Sequence, residues 1–82
     1  MNELYGRISI ETALAGIPEG CYPTRLIWIS PGSEETKLSR MTVRGPFERN
    51  GWHADRTGEG KTPVLAILAA SASARKALRE LE

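Results

Sequence analysis

The segment that follows Thr62 constrains the fold most, because it predicts one long helix in a chain of only 82 residues. Thr62 is a suitable N-cap, and Pro63 is favourable at the first helical position, where its missing N–H would have had no partner. Small and apolar residues then recur at steps of three and four, at Val64, Ile67, Leu68, Ser71, Ala74, Leu78 and Leu81. A helix with one such stripe needs a surface to pack against. We therefore expect it to lie across one face of a sheet.

The start of this helix partly matches a phosphate-binding loop. Gly60, Lys61 and Thr62 fit the second half of the pattern G-x-x-x-x-G-K-[ST], but Asp55 stands where the first glycine is needed. Glu59 adds a carboxylate where a phosphate would lie. We therefore expect a capped helix here and no nucleotide site.

Two segments predict strands. Residues 24–30 are apolar on both faces and rich in β-forming residues, which predicts a central strand with Trp28 in the core. Residues 37–44 alternate instead. The side expected to face the core carries Ser39, Met41 and Val43. The opposite side, expected to meet water or a partner, carries Leu38, Arg40, Thr42 and Arg44.

The next segment predicts a hairpin. Residues 47–54 surround Asn50-Gly51, a pair that favours a two-residue type I′ turn. Residues 55–61 are polar and contain glycine, so we expect a loop without a core residue.

The N-terminal part allows two interpretations. Ser9 could cap a short helix over residues 9–16, which we prefer, while residues 4–10 alternate as a short strand would. Together these elements predict one α+β domain over residues 1–82. It is a small two-layer domain with an antiparallel sheet of about three or four strands, a short N-terminal helix and a long C-terminal helix across one face.

Charge and composition narrow the class of protein. The net charge is +1, with two basic and five acidic residues in 1–36 and six basic and three acidic residues in 37–61. This is a local basic region and not the overall basicity of a typical nucleic-acid binder. Cys21 is the single cysteine and cannot form an internal disulfide. Because no signal peptide or membrane-spanning stretch is evident, we expect a cytoplasmic protein without a membrane contact.

Catalytic and metal chemistry have few candidates. One histidine and one cysteine are too few for a zinc site, so we expect no metal and no cofactor. His53 and Asp55 would share a strand face, and Cys21 or a serine could act as a nucleophile beside them. We prefer a solvent-exposed His53 and Asp55, and we expect no catalytic residues and no enzyme activity. Glu34 and Glu35 read as an exposed pair in a turn.

The basic middle of the chain is the candidate partner-binding surface. Its residues are Arg40, Arg44, Arg49, Trp52, His53 and Arg56. Tryptophan and arginine are frequent in the energetic centres of protein interfaces, although Trp52 could equally fold back under the hairpin. We expect a small binding protein that contacts a larger protein as an adaptor or inhibitor, a class common among phage- and plasmid-borne regulators. The alternative is a nucleic-acid-binding module that uses residues 37–56.

Self-association is a further expectation. A central strand needs cover on both faces, and one helix covers only one face of a small sheet. A homodimer would cover the second face of residues 26–29.

Overall fold

A computed structural model describes residues 9–29 and 38–81 of the chain. The elements in chain order are helix α1 (Ile10–Ala15), strands β1 (Tyr22–Ile29), β2 (Leu38–Gly45) and β3 (Ala54–Gly60), and helix α2 (Pro63–Leu81). The strands form an antiparallel sheet in the order β1-β2-β3. Helix α2 packs on β2 and β3 and also contacts α1. This confirms the predicted α+β architecture with a long C-terminal helix on one face of the sheet.

Both helices begin where the sequence predicts. The Thr62 hydroxyl accepts a hydrogen bond from the Leu65 N–H at 3.2 Å, so Thr62 caps α2. The Ser9 hydroxyl accepts from the Thr12 N–H at 3.0 Å and caps α1. The predicted short helix is thus confirmed, and the competing strand falls mostly on residues 4–8, which lie outside the described residues. Arg75 of α2 donates to the Gly16 carbonyl at the end of α1 and ties the two helices together.

The buried stripe of α2 is rotated from the predicted one. Val64, Leu68 and Leu78 of the predicted stripe are only partly buried. The fully buried positions are Ala66, Ile67, Ala70, Ser71, Ala74 and Ala77. The face against the sheet is therefore made mainly of alanine, and the leucines lie at its margins.

The glycines of β3 explain why small residues occupy this face. A Cβ atom placed on Gly58 would lie 2.0 Å from the Ala70 backbone nitrogen, and one on Gly60 would lie 2.6 Å from the Leu65 Cβ. Helix and strand backbones thus approach more closely than any side chain between them would allow. The glycines of β3 and the small residues of α2 are therefore both needed for this close contact.

The segment before α2 corrects two predictions. Residues 55–61 are not a loop without core residues, because strand β3 covers most of them and Gly58 is buried. The type I′ hairpin is also wrong, because Gly51 has a φ of 82° while Asn50 does not have a positive φ. The connection over residues 46–53 is longer. Its turn is closed by the Gly51 N–H, which donates to the Glu48 carbonyl at 3.0 Å.

Strand β2 alternates as predicted. Ser39, Met41 and Val43 are buried beneath α2, with exposed fractions of 1%, 3% and 0%. Arg40 and Arg44 lie on the opposite side, which we call the outer face of the sheet. Strand β2 pairs with β1 on one side and with β3 on the other, so it is the central strand of the described sheet.

Strand β1 is an edge strand, which corrects the prediction that it is central. It pairs with β2 alone within the part of the chain that the structure describes. Trp28, expected in the core, is 61% exposed, and Leu26 is 42% exposed. The cause is the position of α2, because a helix about 10 Å wide covers roughly two strands spaced about 4.8 Å apart. Here those two strands are β2 and β3.

Replacement of Gly58 tests the close approach of helix and strand. Gly58→Ala should lower the free energy of unfolding by about 3 kcal/mol or more, because the clashing atoms belong to the backbone of α2 and cannot rotate away. Gly51→Ala is the control, since its Cβ would meet open space and only the positive φ is strained, at about 1–2 kcal/mol. Urea denaturation measures both. Equal losses would contradict the packing.

The rotated stripe gives a second stability prediction. Ile67→Ala should cost about 2–5 kcal/mol, because Ile67 is fully buried and its removal leaves a cavity. Leu68→Ala should cost clearly less, because Leu68 lies at the margin of the core. Both variants keep helix propensity high, so the same urea titration isolates the packing. A larger loss for Leu68→Ala would restore the stripe that the sequence predicts.

Candidate functional site

The outer face of the sheet brings four charged side chains into two ion pairs. The strand register places Arg40 opposite Glu59 and Arg44 opposite Asp55. Arg40 contacts Glu59 at 2.6 Å between Nη2 and Oε2, and Arg44 contacts Asp55 at 2.9 Å between Nε and Oδ1. The predicted arginines thus have acidic neighbours on β3. A loop over residues 55–61, as the sequence predicts, would not place these carboxylates beside them. The pairs reduce the positive charge that this face offers to a ligand.

The Arg44–Asp55 pair also changes the titration of both groups. The hydrogen bond from Arg44, together with the charges of Arg44 and Arg25, holds the pKa of Asp55 below its ordinary value. The same hydrogen bond and the Asp55 charge raise the pKa of Arg44. Because both side chains are about half exposed, solvent screens the pair and its net effect on stability is small.

The other predicted site residues do not join this face. Arg56 lies on the helix side of β3, with its guanidinium carbon 5.2 Å from the centre of the Phe47 ring. Arg56 and Arg49 line an open cleft of about 520 Å³ between the 46–53 connection and the C-terminal end of α2. Glu48 and Glu80 line the same cleft, so its charge is mixed. The single basic surface expected from the sequence is therefore divided between two sides of the sheet.

Two aromatic rings lie close together at the end of the sheet where β1 begins, and an exposed tryptophan is next to one of them in sequence. The His53 ring lies 6.3 Å from the Tyr22 ring, centre to centre, with the planes tilted by 39°. Trp52, next to His53, is 72% exposed, which decides the question that the sequence left open. The Trp52 backbone N–H donates to the Asn50 Oδ1 at 3.0 Å and so fixes the backbone of the turn. We call Tyr22, Trp52 and His53 the aromatic patch.

The side chains considered for catalysis have different partners in the structure. The Asp55 carboxylate binds Arg44 on the outer face, whereas the His53 ring packs beside Tyr22. Cys21 is partly buried against the core, and burial raises the pKa of its thiol, which disfavours the reactive thiolate. The Asp55 carboxylate is therefore engaged by Arg44 and does not orient the His53 ring.

Sequence reasoning expected one uncovered face at residues 26–29 but missed that the helix side of β1 is exposed as well. Leu26 and Trp28 point to the same side of the sheet as α2, because they pair with the buried Met41 and Ser39. A groove of about 270 Å³ lies beside Leu26 and is lined by Ile10, Leu14, Leu26, Met41 and Ile67, among others. The two glycines of β3 are the signal that could have located α2 and thereby the uncovered strand.

Comparisons of the whole chain with protein-family models, with curated proteins and with solved structures found no match. Among the helices that the structure describes, none is long and apolar enough to cross a membrane. The functional argument therefore depends on the geometry of the site itself.

The lowered pKa of Asp55 gives a test of the outer-face ion pair. In the native chain the Asp55 carboxyl should titrate below an ordinary aspartate, and Arg44→Gln should move it upward. Because folding lowers the pKa of Asp55, the ion pair stabilises the fold at pH values above the pKa of the unfolded chain. This stabilisation is lost as the pH falls through the pKa of the folded chain. Carboxyl NMR across acidic pH measures the shift. Arg79→Gln on exposed α2 surface is the control, and an equal shift there would contradict the pairing.

Proposed function

We propose that this chain is a small non-enzymatic binding domain that acts by contact with a protein partner, as an adaptor or an inhibitor. One observation carries the proposal: Trp52 is 72% exposed next to the paired rings of His53 and Tyr22, while alanine forms most of the described core. A small domain with a thin stability margin gains from burying its largest apolar side chains. Their exposure on the folded chain is typical of a surface that another molecule covers.

The aromatic patch is the proposed anchor for the partner. Tryptophan, tyrosine and arginine supply most energetic centres of protein interfaces, because they bury a large area at a low entropic cost. Trp52 is held on a turn closed by two hydrogen bonds, one from Gly51 to Glu48 and one to the side chain of Asn50. The backbone that carries Trp52 is therefore ordered before binding, which lowers the entropic cost of association. Arg49 lines the neighbouring cleft and extends the surface with a cation.

The nucleic-acid alternative stays a prediction with weaker support. Arg40 and Arg44, which would contact phosphates, are each bound to a carboxylate of β3. A phosphate would have to displace Glu59 and Asp55 or lie beside them. Because phosphate binding depends on releasing counterions, neutralised arginines contribute little to it.

A capture experiment tests the proposed anchor. The tagged chain is used to isolate proteins from extracts of its source cells, and bound proteins are quantified by mass spectrometry. Trp52→Ala should reduce capture of a specific partner at least about tenfold, the loss typical of an interface centre, and Arg49→Ala should reduce it less. Circular dichroism verifies that both variants fold.

Two controls give this experiment its meaning. Lys76→Ala removes a charge from the exposed side of α2 and should leave capture unchanged. Undiminished capture by Trp52→Ala would exclude the aromatic patch as the anchor. Binding of a labelled oligonucleotide at low salt that weakens steeply as salt rises would favour the nucleic-acid alternative.

A further inference from the structure

In the described part of the chain one edge of β1 is unpaired, and its protective features are confined to the start of the strand. Natural edges are shielded by charges, prolines, bulges or short length. In β1, Pro23 and a break in the register between Pro23 and Arg25 lie near the start of the strand. From Arg25 to Ile29 the pairing with β2 is regular, and Arg25 carries the one charge of the strand. The second half of β1 is therefore able to pair with another strand.

The apolar side chains of this half lie on both faces of the sheet. Leu26 and Trp28 point toward the helix side, while Ile27 pairs with Arg40 and points to the outer face. Leu26, Ile27 and Trp28 are 42%, 36% and 61% exposed. A strand that covers them must itself be apolar on both faces and must have a free hydrogen-bonding edge. The chain contains one such strand in its described part, namely β1.

We infer that the occupant of this edge is a second copy of the chain, paired antiparallel through residues 25–29 about a two-fold axis at Ile27. A two-fold axis makes the strand its own complement. In this register Ile27 meets Ile27 of the second copy, and Leu26 lies opposite Trp28 of the second copy, so that each Trp28 reaches the groove beside the other copy's Leu26. The sheets then join into one continuous sheet of six strands.

The charge of Arg25 favours this register. Arg25 lies opposite Ile29 of the second copy, and the two Arg25 residues are four positions apart along the paired strands. That offset separates them by about 14 Å along the strand, beyond the screening length of about 8–10 Å in physiological salt. A register centred on Arg25 would instead place the two cations side by side.

The contact is small for a protein interface. The exposed part of Trp28 is on the order of 150 Å². With Leu26, Ile27 and the paired backbone from both copies, the interface is on the order of 1,000 Å², near the lower limit for specific association. The dimer should therefore be reversible, with a dissociation constant of roughly a micromolar or weaker. This contact is separate from the aromatic patch, so loss of partner capture and loss of self-association are independent outcomes.

Sedimentation equilibrium of the full chain tests the dimer directly. The weight-average mass should rise from one chain to two as the concentration passes through the expected dissociation constant. Hydrogen exchange of the amides in residues 25–29 should slow over the same range. A mass of one chain at every concentration, with exchange that does not depend on concentration, would overturn the inference.

Complementary charges test the register. Leu26→Glu and Trp28→Lys are at exposed positions, and each variant alone should be monomeric because it places a charge against an apolar side chain of the second copy. An equimolar mixture should recover a heterodimer, seen by native mass spectrometry, because Glu at position 26 then lies opposite Lys at position 28. Ala72→Glu on the exposed side of α2 is the control and should dimerise like the native chain. Single variants that still dimerise, or a mixture without heterodimer, would overturn the pairing.

Discussion

The close approach of α2 to β3 is the interaction on which the rest of the structure depends. Gly58 and Gly60 have no side chain, and alanines face them across the layer, so the two backbones nearly touch. Such packing recovers many short dispersion contacts without any large side chain. It also fixes the lateral position of α2 over β3 and β2. Since one helix cannot cover a third strand as well, α2 leaves β1 uncovered, and no other element that the structure describes packs over it.

The same constraint accounts for where the large side chains lie. A layer closed by glycine and alanine has little room for tryptophan, and Trp28 and Trp52 are therefore at the periphery. The core is completed by a few larger residues, among them Val43, Phe47 and Ile67. The position of α2 thus accounts for the exposure of Leu26 and Trp28 on β1, while Trp52 is exposed on the connection before β3.

The sequence predicted those features that depend only on residues close to each other in the chain. The caps at Ser9 and Thr62 and the alternation along β2 depend on neighbouring residues, and all three were predicted. The strand at β1 was predicted, but its central position and the loop over residues 55–61 were wrong, because both depend on where α2 packs. Gly58 weakens a strand by propensity, and only its contact with Ala70 explains it. For the site, the identities of Arg44 and Trp52 were readable, but the ion pair with Asp55 requires the register of β3.

Quenching of tryptophan fluorescence by iodide in dilute native solution tests this account most directly. If α2 leaves β1 uncovered, both tryptophans should be accessible, and the quenching constant should approach that of the urea-unfolded chain. Single-tryptophan variants assign the signal to Trp28 or Trp52. A Trp28 that iodide reaches only after unfolding would place β1 beneath a covering layer and would contradict the account.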